Sequence, residues 1–315
     1  MKILTSDLPG ALRTLNAPVD HSRDRIRRVV VSSTSYGQMM VNRFDGTEEN
    51  PGVGGQLLAT GQFDPDEMVL LRNLVAALRP DPVVLDIGAN IGVDTLVMAY
   101  ECEIKNGTVY AFEPQRQVFQ MLCGNVALNS LDNVHCLNRA VGSKPGEIPV
   151  PRLDYNRNTS FGSLELGQSQ KEDIGQDPDR SDSAVEMVEV CTIDGMNFDR
   201  IDLIKLDVEG MEVDALKGAC KSLARFKPLL HIEWIKSDKH ALANFLEDLG
   251  YEIRQLEQNY VALPQGWSPE IRTSPTPSQS AGNDAPQPLA ARSVWKSLKM
   301  AVRDAGRAYR HYRRW

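Results

Sequence analysis

The chain has 315 residues, a net charge of −7 and ordinary apolar (42%) and charged (24%) content, which predicts a soluble globular protein of one large domain or two small ones. It lacks an apolar run of about 18 residues to span a bilayer, and its first residues, MKILTSDLPGALRTLN, lack the apolar core and small-residue cleavage site of a secretory leader. Eight Lys/Arg and one Asp fall in the last 24 residues, so the preceding chain carries −14, and no nucleic-acid partner is expected of so acidic a body.

The first strong signal is VVLDIGANIG (83–92). Val83–Leu85 has no polar alternation, as in a strand buried on both faces of a parallel sheet. Asp86 ends the run, and Gly88 and Gly92 frame a turn into a helix from Ile91 to about Ile104. The dinucleotide fingerprint G-x-G-x-x-G needs glycines at 88, 90 and 93, but Asn90 and Val93 stand at the last two. Asparagine tolerates the left-handed turn, while both side chains crowd the approach of a pyrophosphate. A ligand without phosphates, such as S-adenosylmethionine, still fits; an ordinary structural turn is the alternative. The strand GTVYAFEP (107–114) brings Glu113 to a strand end 21 residues after Gly92. There a carboxylate can accept from both ribose hydroxyls of NAD or adenosylmethionine, or simply complement the dipole of the helix expected over 115–129.

A strand near VHCLNRAVG (134–142) and a β-like patch, EIPVPR (147–152), follow. The polar stretch GQSQKEDIGQDPDRSDS (167–183) is too hydrophilic for a core and reads as a lid over an acceptor or as surface disorder. After the strand VEMVEVCTI (185–193) comes IDLIKLDVEG (201–210), leading into the helix MEVDALKGACKSL. The strand PLLHIEW (228–234), the helix KHALANFLEDLG (239–250) and strands around YEIRQL and NYVAL complete the core. Alternating strands and helices predict a parallel sheet covered on both faces, with ligands at the carboxyl ends of its strands. The polar residues there are Asp86, Asn90, Glu113, Asp207, Glu209 and Glu233.

Lys205 lies in an apolar strand where an unpaired ammonium is costly, and period-two alternation puts Asp207 on its face. Three readings stand open: a structural ion pair; a catalytic group of Lys205, Asp207 and Glu209 for an acceptor hydroxyl; and a metal site of Asp207, Glu209 and Glu233 for a hard ion such as Mg²⁺. His231, among apolar neighbours, reads as a core histidine. The five cysteines (102, 123, 136, 191, 220) are scattered without a C-x-x-C pair, which favours reduced residues of a cytoplasmic protein over zinc or disulfides. Residues 264–293 form a proline-rich flexible linker. In 294–315, Trp295, Leu298, Val302, Ala305, Tyr309 and Tyr312 recur at steps of three and four. They predict a basic amphipathic helix, suited to an anionic membrane surface or to docking on the acidic body.

DIGANIG, AFEPQ, NVALNSLDNV and TIDGMNFDRIDLIKLDVEGMEVDALKGA, in this order, resemble the FkbM family of S-adenosylmethionine-dependent methyltransferases over about 80–235. PVPRLDYNRNTSFGSLEL (149–166) is similar to a subset of that family. The resemblance implies a Rossmann-like class I methyltransferase fold, α/β with a mostly parallel seven-stranded sheet and helices on both faces. The domain would span 62–263, behind an N-terminal extension and cap at 1–61. By position, Asp86, Gly88, Asn90 and Gly92 would line the methionine and ribose, Glu113 would hold the ribose, and Asp207 and Glu209 would face methyl donor and acceptor. Met211 stands where a smaller residue is common. The implied activity is O-methylation of a sugar, glycan or natural-product hydroxyl, with many bacterial members associated with surface-polysaccharide synthesis. The enzyme would be cytoplasmic, or peripheral on the inner membrane surface through its tail. The rivals are a nucleoside-cofactor oxidoreductase, opposed by Asn90 and Val93, and a nucleic-acid methyltransferase. The latter is suggested by the basic tail but opposed by the acidic body and by the lack of an asparagine–proline–proline–aromatic motif. Oligomeric state is not legible.

Overall fold

A computed structural model describes residues 27–166 and 170–267. The N-terminal extension contributes β1 (Val29–Thr34) and β2 (Gly37–Asn42), an antiparallel hairpin, then α1 (Val53–Thr60) and α2 (Pro65–Ala76). Asp64 caps α2 by accepting from the Glu67 amide, and Pro65 occupies the first turn, where no amide hydrogen is needed. The alternating unit is β3 (Val83–Ile87), α3 (Val93–Glu103), β4 (Thr108–Phe112), α4 (Arg116–Leu128) and β5 (Val134–Leu137). A side sheet follows, of β6 (Ala140–Val141), β7 (Gly146–Pro151) and β8 (Val185–Cys191). The chain returns through β9 (Leu203–Leu206), α5 (Glu212–Lys217), α6 (Cys220–Phe226), β10 (Leu229–Glu233), α7 (Lys239–Asp248), β11 (Tyr251–Leu256) and β12 (Asn259–Pro264).

The main sheet has seven strands in the order β11-β12-β10-β9-β3-β4-β5, with β12 antiparallel to both neighbours. From β3 the chain first runs outward through β4 and β5, then crosses back to β9 on the other side of β3. This reversal opens a crevice at the carboxyl ends of β3 and β9, where an open α/β sheet binds its ligands. One sheet face (Val84, Val109, Leu203, Leu229) packs with residues of α2, α3 and the hairpin; the other (Leu85, Ile204, Leu230) packs with α5, α6 and α7. This is the expected class I architecture.

Four expectations are adjusted. The strand over 134–142 breaks at Asn138 and Arg139, where Asn138 Nδ2 turns to donate to the Glu113 and Pro114 carbonyls at 2.8 and 3.0 Å. The helix after residue 210 breaks at Gly218, where a Cβ would lie 2.0 Å from the Gly142 carbonyl oxygen. The described part of 167–183 is packed, with Ile174 fully buried and the buried Glu165 carboxylate accepting from the amides of Lys171 and Glu172. Local hydrogen bonds supply there what apolar residues would supply in a core. Pro264, expected in the linker, still pairs with Tyr251 in the main sheet. The rest of that linker and the C-terminal helix lie outside the described residues, among which no helix is long and apolar enough to cross a membrane.

Candidate active site

The loop between β3 and α3 is built by three left-handed residues, Gly88, Asn90 and Gly92. Gly88 has φ +89°, and a Cβ there would lie 1.6 Å from the Asp207 carbonyl oxygen, so only glycine lets the loop lie against the end of β9. Asn90 closes its own turn, its Oδ1 accepting from the Ile91 amide at 2.8 Å. Its backbone amide donates to Glu113 Oε2 at 2.9 Å, while Glu113 Oε1 accepts from the Gln115 amide at 2.8 Å. Glu113 is thereby fixed at the tip of β4 with one acceptor direction spent on each oxygen and the others free. Burial pushes its carboxyl up to about 7, against the opposing pull of those two amides.

Beneath the loop, Asp86, Lys205 and His231 sit side by side in register across β3, β9 and β10. The helices on that face approach each of them. Thr95 donates to Asp86 at 2.5 Å, Asp94 lies 2.8 Å from the Lys205 ammonium, and Glu67 lies 3.7 Å from His231 Nδ1. Burial raises Asp86 to about 7, partly offset by Lys205. Burial alone would lower Lys205, but Asp94, Asp207, Asp86 and Glu67 together hold it well above the ordinary lysine range. Such a lysine keeps its proton, so this geometry favours the ion-pair reading over a base. Burial, reinforced by Lys205, drives His231 down to about 3; the ring is neutral and neither nitrogen has a hydrogen-bond partner.

Above this row lies a cleft of about 1470 Å³. Gly88, Asn90, Glu113, Asp207, Glu209 and Glu233 share its wall. Asp86, Gly92 and Lys205 do not: the two charged residues are buried below, and Gly92, at φ +93°, turns toward Leu122, which a Cβ would meet at 2.6 Å. Oxygens of Asp207, Glu209 and Glu233 all lie within 4.8 Å of one another. Burial and repulsion from Asp207 and Glu209 push Glu233 up to about 10; burial and repulsion from Asp207 push Glu209 up to about 8, with Lys236 opposing.

A segment from the region after β7 crosses the glycine loop at Ser160–Ser163. Gly162 permits the crossing, since a Cβ there would lie 2.5 Å from Asn90 Nδ2. Gln115 Nε2 donates to the Phe161 carbonyl at 2.8 Å, and Asp45 accepts from the Phe161 and Gly54 amides at 3.2 and 2.7 Å. Lys236 joins Glu209, Glu172 (2.9 Å) and the Ser163 carbonyl (3.2 Å), tying this segment to the carboxylate group. Asp45, Glu67, Asp94 and Lys236 were not singled out from sequence. Asp94 had a detectable signal, an acid in the first turn of the helix that follows the glycine loop; the others are brought in only by tertiary packing.

The family model described as the methyltransferase FkbM domain matches residues 86–253, more than half of the chain. Methyltransferase sdnD of Sordaria araneosa is 29% identical over 201 residues, covering 57% of this chain and 77% of that protein. The hexuronic acid methyltransferase AglP of Haloferax volcanii is 26% identical over 162 residues, covering 50% of this chain and 58% of that protein. The solved structure of methyltransferase FkbM from Methylobacillus flagellatus is 21% identical, with a TM-score of 0.41, over 58% of this chain and 43% of that one. The chain thus spans less than two thirds of the length of the latter two proteins. On the family match, the chain belongs to the FkbM family of S-adenosylmethionine-dependent methyltransferases.

Proposed function

We propose that the cleft binds S-adenosylmethionine across the end of β3 and transfers its methyl group to a hydroxyl of a sugar, glycan or natural product. The observation that carries this reading is Glu113: a buried carboxylate beside a left-handed glycine loop, held by two backbone amides, with acceptor capacity left for both ribose hydroxyls. Asn90 and the crossing at Gly162 narrow the space over the loop, which suits an uncharged thioether or sulfonium chain better than a pyrophosphate.

The sulfonium carbon is already activated, so the protein's task is to hold the acceptor oxygen in line and to take up its proton as the new C–O bond forms. Asp207 and Glu209, on the cleft wall one strand from Gly88, are the groups that meet that oxygen. Lys205 orients Asp207 from below, at 3.3 Å. The hexuronic acid methyltransferase named among the relatives makes a sugar acceptor a reasonable first choice. The test is transfer of radiolabel from adenosylmethionine to fractionated glycans and small molecules of the source cell. Label in an alkali-stable sugar or natural-product ether supports the reading; label confined to nucleic acid or protein contradicts it.

A further inference from the structure

The cleft is longer than a cofactor and one acceptor hydroxyl need. Its volume of about 1470 Å³ exceeds the roughly 300–1,000 Å³ of a pocket for one small molecule. Its length follows from the sheet order: from Glu113 at the tip of β4 the wall passes β3, β9, β10 and β12 to β11, five interstrand steps or about 24 Å. The cofactor takes the tips of β4 and β3, and Asp207 follows β9 at the acceptor oxygen. The last three steps, about 14 Å, lie beyond the reacting atoms.

That extension is walled by the turn from β11 into β12 and by the chain entering α2. The side-chain amides of Gln62, Gln258 and Asn259 line it and make no hydrogen bond to other described residues. Each amide both donates and accepts, as a hydroxyl does. Phe63, Val69 and Ile235 belong to the same wall, the last two 50% and 45% exposed. Neutral amides beside open apolar surface suit a ligand whose rings present hydroxyls at their edges and C–H groups on their faces.

The same wall has no group to hold an anion. Its two cations are already engaged, Lys236 by Glu209, Glu172 and the Ser163 carbonyl, and Arg139 by Glu189 at 2.9 Å. The acids at the reacting end are engaged as well, Asp207 by Lys205 and by a hydrogen bond with Glu233, and Glu209 by Lys236. An acidic sugar would enter without a partner and pass the exposed Asp64 and Asp66, an arrangement that selects against it.

We propose that the tips of β10, β12 and β11 form subsites for a glycan of two or more sugars that carries no acidic group. The cofactor closes the other end of the cleft, so the methylated ring is the end ring of that glycan, at Asp207 and Glu209, and the rings behind it lie along Ile235, Gln258 and Asn259. This rests on the methyl-transfer reading and names its substrate class.

The test gives the full chain radiolabelled adenosylmethionine and the source cell's glycans, separated by anion exchange and then by size. Label is expected in unretained oligosaccharides and not in retained glycans or single sugars. Gln258→Ala combined with Asn259→Ala should raise KM for the labelled fraction about fivefold or more, as two lost hydrogen bonds would, with kcat and adenosylhomocysteine affinity unchanged. Circular dichroism checks that this variant is folded, and the fractionation tests the subsites on the unaltered chain. Label in acidic glycans, in single sugars or in a small molecule that is not a sugar overturns the glycan subsites alone, as does an unchanged KM in the folded variant. Label confined to nucleic acid or protein overturns the methyl-transfer reading instead, and no label in any fraction from a chain that binds adenosylhomocysteine counts against both.

Discussion

Glu113 is asked to be an anion in a place that disfavours anions. Its ordinary value of 4.5 is raised to about 7 by burial, although two amides donate to it. Between those values the folded chain holds a proton that the unfolded chain has released, so this residue's contribution to stability is full below pH 4.5 and is lost as pH rises through 7. Ligand binding runs the other way, because the ionised form is the better acceptor for two hydroxyls. Adenosylhomocysteine affinity is therefore expected to rise by up to about tenfold per pH unit from 5 to 7 and level off above. Titrations across that range check this, and Glu113→Gln should bind weakly and without the slope. For the acceptor carboxylates, Asp207→Asn and Glu209→Gln should each lower turnover by about 100-fold or more while adenosylhomocysteine affinity changes little. Steady-state kinetics beside calorimetry separates the two effects. The place of Glu113 at a strand end beside the glycine loop was legible in sequence because it depends on one spacing along one chain segment. Glu67 was not: it reaches His231 from α2, 164 positions away in the chain, and only packing brings them together.

At the scale of elements, the glycine loop works because a backbone meets a backbone. Gly88→Ala would place a methyl group inside the Asp207 carbonyl and hold a non-glycine residue at φ +89°, so a loss of about 3 kcal/mol or more is expected, read as a lowered melting temperature. The family-like stretch NVALN has a comparable hidden task. Asn125 on α4 and Asn129, one turn on at its C-terminal cap, take the place of a neighbouring strand for β2. Asn125 pairs with both backbone groups of Met40 and also donates to the Ile91 carbonyl at 2.7 Å, while Asn129 pairs with both backbone groups of Gln38. Asn125→Ala should cost about 2–4 kcal/mol by orphaning buried backbone groups, measurable by denaturant unfolding. The sequence pattern located α4 to within a residue at each end, yet could not show what its asparagines bind, since the partner strand lies 85 positions earlier. The side sheet was hidden for a similar reason. Its strands alternate as any strand does, and only pairing reveals that β6, β7 and β8 stand apart from the main sheet.

Across the whole molecule, a parallel sheet covered on both faces followed from the alternating segments and its seven strands from the family resemblance, whereas the strand order and the integration of the N-terminal part did not. Met39, Val41, Leu57, Leu71 and Leu74 are buried in the same core as Val84, Leu96 and Leu203, although the first five precede the region matched by the family model. The boundary expected at residue 61 therefore crosses a continuous core, and we propose that the hairpin, α1, α2 and the sheet fold as one unit. A chain beginning at Gln62 should fail to show a cooperative thermal transition, where a chain divided at that boundary into two independent units would keep one. Asp45 carries the same connection to the cleft, since it holds Phe161 over the glycine loop. Calorimetric titration of the full chain and of Glu113→Ala with adenosylhomocysteine decides whether this cleft holds adenosylmethionine with Glu113 on the ribose. The result expected is one site per chain, no comparable heat with NAD, and affinity weakened about 10- to 150-fold in a folded Glu113→Ala variant. NAD binding without adenosylhomocysteine binding, or an affinity unchanged in that variant, would contradict it.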